Sequence, residues 1–203
     1  MGPDEPLVYV VDDDEAVRDS LTLLLKAVGL TGRAFGSAAE FLHSYDPEQH
    51  GCLLADIRMP GMSGLDLQNE LNRRGAPIPL IFITGHGDVP MAVDAMKSGA
   101  LDFIEKPFRD QDLLDRVNQA LTWDTERRTR NLESLAIRER LAMLTPRETE
   151  VMECVVQGQA NKVIAMDLGV SQRTVEIHRA RVMEKMAVRS VAKLVRAVEA
   201  AKT

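Results

Sequence analysis

The chain has 203 residues, 45% of them hydrophobic and 28% charged, with a net charge of -6; it exceeds a typical single domain and has an ordinary globular composition. No apolar run approaches the roughly 18 residues that a membrane span needs, the acidic start MGPDEP is unlike a signal peptide, and Cys52 and Cys154 lack metal-ligand spacing and read as buried thiols rather than a disulfide. A cytoplasmic, two-domain chain without a membrane anchor is expected, and its charge is divided: residues 1–122 hold 10 Lys+Arg against 20 Asp+Glu, giving -10, and residues 123–203 hold 15 against 11, giving +4. Only the second part is suited to meet a polyanion, and the acidic first part would repel DNA and mask it.

Along the first part, four short runs rich in Val, Ile, Leu and Phe end at chemically loaded residues. LVYVV precedes Asp12-Asp13-Asp14, CLLA precedes Asp56, LIFI precedes Thr84, and LDFIE precedes Lys106-Pro107. The runs are too short for buried helices and are separated by amphipathic stretches, so they read as parallel strands with helical crossovers. Ligands bind such open sheets outside the carboxyl ends of the strands. Carboxylates gathered there repel one another unless a hard cation joins them, and an oxygen-rich site suits Mg²⁺. A Mg²⁺ held by Asp13 and Asp56 would neutralise an incoming phosphoryl group, while the Lys106 ammonium and Thr84 hydroxyl hold its other oxygens and Asp56 acts as nucleophile. Each acid alone reads equally well as a helix N-cap, and Lys106 as a surface charge; their recurrence at successive strand ends carries the phosphate reading.

From Trp123 to Met143 the chain is charged, free of Gly and Pro and rich in helix formers, which predicts a helical linker. Leu114, Val117 and Leu121, then Leu132 and Leu135, have spacing that would continue into a coiled coil, but Thr125 and Arg128 interrupt the stripe, so pairing is not the favoured reading. Beyond it, Thr145-Pro146-Arg147-Glu148 carries an N-cap, a proline at the first helical position and a capping-box glutamate. Val151, Met152, Val155 and Val156 form that helix's apolar face, and Gly158 is placed to stop it. A short helix, NKVIAMDL, a turn at Gly169-Val170, an N-cap at Ser171 and the longer helix SQRTVEIHRARVMEKM then make a helix-turn-helix, followed by SVAKLVRAVEA with Val191, Leu194, Val195 and Val198 on one side.

At 100° per residue, Val175, Val182 and Met186 share the packed side of the long helix, and Arg173, Ile177 and Arg181 fall opposite. An isoleucine flanked by arginines suits a major groove, where it touches thymine methyls while arginine bonds guanine. Lys162, Arg173, Thr174 and Arg179 sit at helix starts or edges suited to phosphate contacts. His178 reads as a phosphate or packing residue, with no zinc expected, and Glu176 is expected to pair with Arg173 or Arg179.

The strings VVDDDEAVR, LLADIRMPGMSGLDL and FITGHGDVPMAVDAMKSGALDFIEKPF resemble the receiver domain of bacterial two-component response regulators, of the FixJ-type subfamily, over about the first 120 residues. LTPRETEV followed by NKVIAMDLGVSQRTVEIHRARVMEKM resembles the four-helix DNA-binding domain of the NarL/FixJ and LuxR-type regulators, over about the last 60. The resemblance implies an α/β fold: a doubly wound, five-stranded parallel sheet (flavodoxin-like receiver, 1–122), a helical linker (123–143) and a small all-α helix-turn-helix domain (144–203). It implies that Asp56 accepts a phosphoryl group from a sensor histidine kinase, that Asp13 binds Mg²⁺ (or Mn²⁺) directly, Asp12 through water and Arg58 by its backbone carbonyl, and that Thr84 and Phe103 are switch residues beside Lys106. The Lys106-Pro107 bond is expected to be cis.

Phosphorylation is implied to rearrange residues 88–104 and 110–122, with Met91, Ala92, Ala95 and Met96 as candidates for a receiver homodimer interface. Residues 171–186 are then the recognition helix, 190–200 the surface by which two DNA-binding domains pair on promoter DNA, and RNA polymerase a further partner. Two other readings fit less well. An aspartyl-phosphate phosphatase needs an acid-base aspartate where Arg58 stands, and a phosphorylation-independent DNA-binding protein has no use for the set Asp13, Asp56, Thr84 and Lys106. Beyond slow handling of its own phosphoryl group, no enzyme activity is expected.

Overall fold

The structure, a computed structural model, describes residues 5–76, 78–85 and 89–201. It divides into two compact units between Arg127 and Arg128, inside the segment expected to be a linker. The first contains β1 (Leu7–Val11), α1 (Glu15–Ala27), β2 (Thr31–Phe35), α2 (Ala38–Ser44), β3 (Gly51–Asp56), α3 (Gly64–Arg73), β4 (Leu80–Thr84), α4 (Val89–Lys97), β5 (Asp102–Glu105) and the first part of α5 (Asp110–Ala142). All strand pairs are parallel and the order is β2-β1-β3-β4-β5. Strand order reverses between β1 and β3, so their carboxyl ends border the crevice where such sheets bind ligands.

Side chains alternate across the sheet, and both faces are covered. Val8, Val10, Cys52, Leu54, Ile81, Ile83 and Ile104 pack with Leu21 and Leu25 of α1 and Leu113, Val117 and Leu121 of α5. Tyr9, Val11, Leu53, Ala55 and Phe82 face Phe41 of α2, Leu67 and Leu71 of α3 and Ala95 of α4. Burial on both sides explains why the inner strands read as unbroken apolar runs. Val117 and Leu121 therefore belong to the core, with Leu114 packed against it, whereas Leu132 and Leu135 are exposed. Two of the candidate α4 interface residues are likewise core: Ala95 is fully buried and Met91 packs beside it, while Met96 is exposed. The side chain of Ala92 lies outside the described residues.

The last turn of α5 within the first unit holds Asp124, 1% exposed. Its carboxylate accepts from the backbone N–H of Gly51 at 3.0 Å and from Arg127 at 2.7 Å, and it lies 2.6 Å from His50 Nδ1. Nearby Cys52 is fully buried, and burial first, then the charge of Asp124, pushes its thiol far above the ordinary range.

The second unit contains α6 (Pro146–Val156), α7 (Asn161–Asp167), α8 (Gln172–Lys185) and α9 (Val191–Ala200). Thr145 and Glu148 form the expected reciprocal capping box, and the chain turns with positive φ at Gly158 and Gly169. Val151, Met152, Val155, Ile164, Val175, Val182, Met186, Leu194 and Val198 make the core, against which Ile137 and Leu141 of α5 also pack. Lys185 of α8 donates to Glu148 at 2.6 Å and to the Met143 carbonyl at 3.1 Å, tying the end of α8 to the start of α6. No helix among the described residues is long and apolar enough to cross a membrane.

Candidate phosphoacceptor and DNA-binding sites

The end of β1 delivers Asp12 and Asp13, and the end of β3 delivers Asp56. One carboxylate oxygen from each lies within 4.8 Å of the others. Asp12 is buried, Asp56 half-buried and Asp13 exposed, so the cluster opens to solvent on one side. Lys106, beyond β5, reaches in: its ammonium is 2.9 Å from Asp12 and 3.7 Å from Asp56. The Lys106-Pro107 bond is cis. Asp12 is also fixed by the backbone N–H of Asp14, at 2.9 Å, while Asp14 caps α1 by accepting from Ala16.

Burial pushes the Asp56 carboxyl above the ordinary carboxylate range; the Lys106 ammonium opposes this, the Asp12 charge adds to it, and backbone N–H groups of Arg58 and Ile57 oppose it further. Three converging carboxylates with one ammonium leave excess negative charge, which a hard cation relieves. The donor set, all oxygen and partly open, fits such an ion.

The other residues expected at this site lie on β4, on β5 and after β3. Thr84, at the end of β4, is buried, and its hydroxyl donates to the Gly85 carbonyl at 3.0 Å. Phe103 of β5 is half-buried against the core. The side chain of Arg58 is exposed, and its backbone N–H bonds the Asp56 carboxylate. Arg18, to which the sequence reading gave no role, donates from one guanidinium nitrogen to the carbonyls of Asp12 at 2.8 Å and Asp13 at 3.0 Å. The only sequence signal for it is position, one turn into the helix that follows the acidic triplet.

In the second unit, Ser171 caps α8 by accepting from the Thr174 N–H, and the two hydroxyls lie 2.8 Å apart. Val175, Val182 and Met186 are buried, and Arg173, Ile177 and Arg181 are exposed, Ile177 by 43%. The helical angles thus separate the packed face from the open one. Lys162 is exposed on α7. Arg179 is half-buried and donates to Asn161 Oδ1 at 2.8 Å, bracing α8 against α7. His178 is half-buried, with Nδ1 shielded and without a hydrogen-bond partner among the described residues. The expected pairing of Glu176 is absent: among the described residues Glu176 and Arg173 make no ion pair, because Arg179 turns to α7 and Arg173 to solvent. Glu176 remains a bare carboxylate on the exposed side.

A doubly wound sheet with an acidic cluster and a reaching lysine at its switch point, followed by a helix-turn-helix unit, defines a response regulator of transcription. Residues 8–118 match the family described as "Response regulator receiver domain", and residues 142–198 match "Bacterial regulatory proteins, luxR family". The chain belongs to the two-component response regulators that join these two domains, in the FixJ-type group. It is 50% identical over 194 residues to "Transcriptional regulatory protein FixJ" of Azorhizobium caulinodans, spanning 96% of this chain and 92% of that protein. Identity to "Nodulation protein W" of Bradyrhizobium diazoefficiens is also 50%, over 95% of this chain and 85% of that one. Among solved structures, that of the response regulator StyR superposes with a TM-score of 0.84 and 46% identity, covering 96% of this chain and 98% of the other.

Proposed function

We propose that this regulator is switched by phosphoryl transfer to Asp56, from a sensor histidine kinase or a small acyl-phosphate donor, and that the phosphorylated form binds promoter DNA as a homodimer. The convergence of Asp12, Asp13, Asp56 and Lys106 at the β1/β3 switch point carries this reading. An Asp56 carboxylate oxygen attacks phosphorus. The P–N bond of the phosphorylated imidazole breaks, its electron pair stays on the ring nitrogen, which takes a proton from solvent, and Asp56 becomes an acyl phosphate.

Asp13, Asp56 and the Arg58 carbonyl, with Asp12 acting through water, are the groups that would hold Mg²⁺ (or Mn²⁺), which supplies positive charge against the anionic donor. Lys106 and the Thr84 hydroxyl bind the phosphoryl oxygens. Thr84 leaves the Gly85 carbonyl to do so, and Phe103 fills the space vacated. The change reaches residues 88–104 and 110–122, where exposed Met96 and Val93 on α4 replace buried Ala95 as the surface offered to a second receiver.

The proposed domains are a receiver over 1–122, a linker over 123–143 and a DNA-binding domain over 144–203, with the receiver's packing continuing to Asp124. Paired α8 helices would enter two half-sites about one DNA turn apart. Arg173, Ile177 and Arg181 face the bases, and Lys162, Thr174, His178 and the free donors of Arg179 lie towards phosphates. RNA polymerase is the partner downstream.

Incubation with Mg²⁺ and acetyl phosphate, followed by intact mass, size and promoter-DNA binding, tests the reading in wild type and Asp56→Ala. One added phosphoryl group, dimerisation and tighter DNA binding in wild type only are expected. Equal DNA binding by both proteins with no change in mass would overturn it in favour of a phosphorylation-independent DNA-binding protein.

A further inference from the structure

We propose that Arg18 is a positioning residue for the cation site, acting through the backbone of the acidic loop; the proposal rests on the reading of Asp12, Asp13 and Asp56 as that site. The two acids of the loop are held in different ways. Asp12 is fixed three times over: its carboxylate accepts from the Asp14 N–H at 2.9 Å and from Lys106 at 2.9 Å, and its own N–H donates to the Phe35 carbonyl at 3.3 Å. Asp13 has no such support. Its exposed carboxylate makes no hydrogen bond or ion pair among the described residues, so its direction depends on the peptide that carries it. Arg18 grips that peptide, bonding the Asp13 carbonyl at 3.0 Å and the preceding Asp12 carbonyl at 2.8 Å with one nitrogen. Both carbonyls lie past the last residue of β1, where the sheet no longer offers them partners. The brace begins on α1, one turn beyond the Asp14 cap, so the helix itself fixes its reach.

The sign of the charge separates positioning from simple electrostatics. A guanidinium beside a cation site repels the ion, so removing its charge alone tightens cation binding. Removing a brace that aims Asp13 at Asp56 weakens it. Outer-shell partners that orient metal ligands typically govern affinity by about 10–100-fold, and an effect of that size far exceeds a screened repulsion at the protein surface.

The test is Mn²⁺ binding to the full chain without any phosphodonor, read from the electron paramagnetic resonance signal of the free ion, with thermal unfolding run alongside. Arg18→Met is expected to lose roughly 10–100-fold in Mn²⁺ affinity while unfolding near the wild-type temperature, and Asp13→Asn marks the affinity left when the Asp13 charge is gone. Arg18→Lys, which keeps a charged donor but on a shorter, freely rotating ammonium, is expected to fall between wild type and Arg18→Met, and it carries the test if Arg18→Met does not fold. Unchanged or tighter Mn²⁺ binding in the folded Arg18 variants would overturn the proposal. Absence of Mn²⁺ binding in wild type itself would overturn both it and the cation-site reading, so the two failures are distinguishable.

Discussion

Replacing Asp124 with alanine tests the receiver's packing where the sequence reads only a charged linker. The buried carboxylate receives the Gly51 N–H, a guanidinium N–H of Arg127 and a contact from His50. Its loss leaves the buried Gly51 N–H without this acceptor, a cost of about 1–3 kcal/mol. His50 and Arg127 keep 16% and 15% side-chain exposure, so water replaces part of what they lose. Breaking a buried ion pair on one side typically costs about 3–5 kcal/mol, and we expect Asp124→Ala to fall in that range. For a unit of this size that corresponds to a fall in Tm of roughly 10–20 °C. Asp124→Asn keeps an oxygen for Gly51 and should cost about 1–2 kcal/mol. The assay is thermal and urea unfolding followed by the single tryptophan, Trp123, which adjoins the network with Arg127 over its ring at 5.7 Å. A cost below about 1 kcal/mol for alanine would refute the reasoning, and equal costs for the two variants would refute the role given to Gly51.

In the second unit, the Lys185 ammonium, then the Thr145 N–H, hold the Glu148 carboxyl down at about 2. Its folded value lies below the unfolded one near 4.3, so its stabilisation is present above about pH 4.3 and is lost as pH falls towards 2; the Tm gap between wild type and Glu148→Gln should narrow over that interval. Gly64→Ala places a methyl 2.3 Å from the Asp56 carbonyl and 2.8 Å from the Phe82 ring, so it should slow phosphorylation by acetyl phosphate at least about tenfold, as misplacement of a reacting group does. Arg181→Ala should weaken promoter binding by about 1–3 kcal/mol if the side chain reads a base, with the loss concentrated on one base pair of the site; a loss uniform across sequences, with a shallower salt dependence, would make it a phosphate contact instead.

The four apolar runs become β1, β3, β4 and β5 because strands buried on both faces need no polar alternation. β2, Thr31–Phe35, escaped that criterion: it is an edge strand with Thr31, Arg33 and Ala34 exposed, and only the family resemblance supplied it. The capping box and the packed face of α8 were legible because both are local, set by spacing within one helix. Asp124 was not. It continues the buried positions Leu113, Val117 and Leu121 along α5, but an aspartate in a charged stretch signals burial only when distant His50 and the Gly51 N–H are known to meet it. Glu176 and Arg179 show the same limit in reverse: helical spacing permitted their pairing, and Asn161 on a different helix won the arginine.

Two glycines let main chain approach main chain around the strand that presents Asp56: Gly51, its first residue, and Gly64, the first residue of α3. An added Cβ at Gly51 would sit 1.9 Å from the Leu7 carbonyl, and one at Gly64 2.3 Å from that of Asp56. Main chain lies against main chain there, and no rotamer change makes room. On the other side stand Thr84 at the end of β4 and the half-buried Phe103 of β5, whose side chains can change rotamer without moving main chain. With Asp56 as the proposed phosphoacceptor, it would work between an anvil and a spring: an added group would find no give toward α3, and the displacement would be steered into β4 and β5.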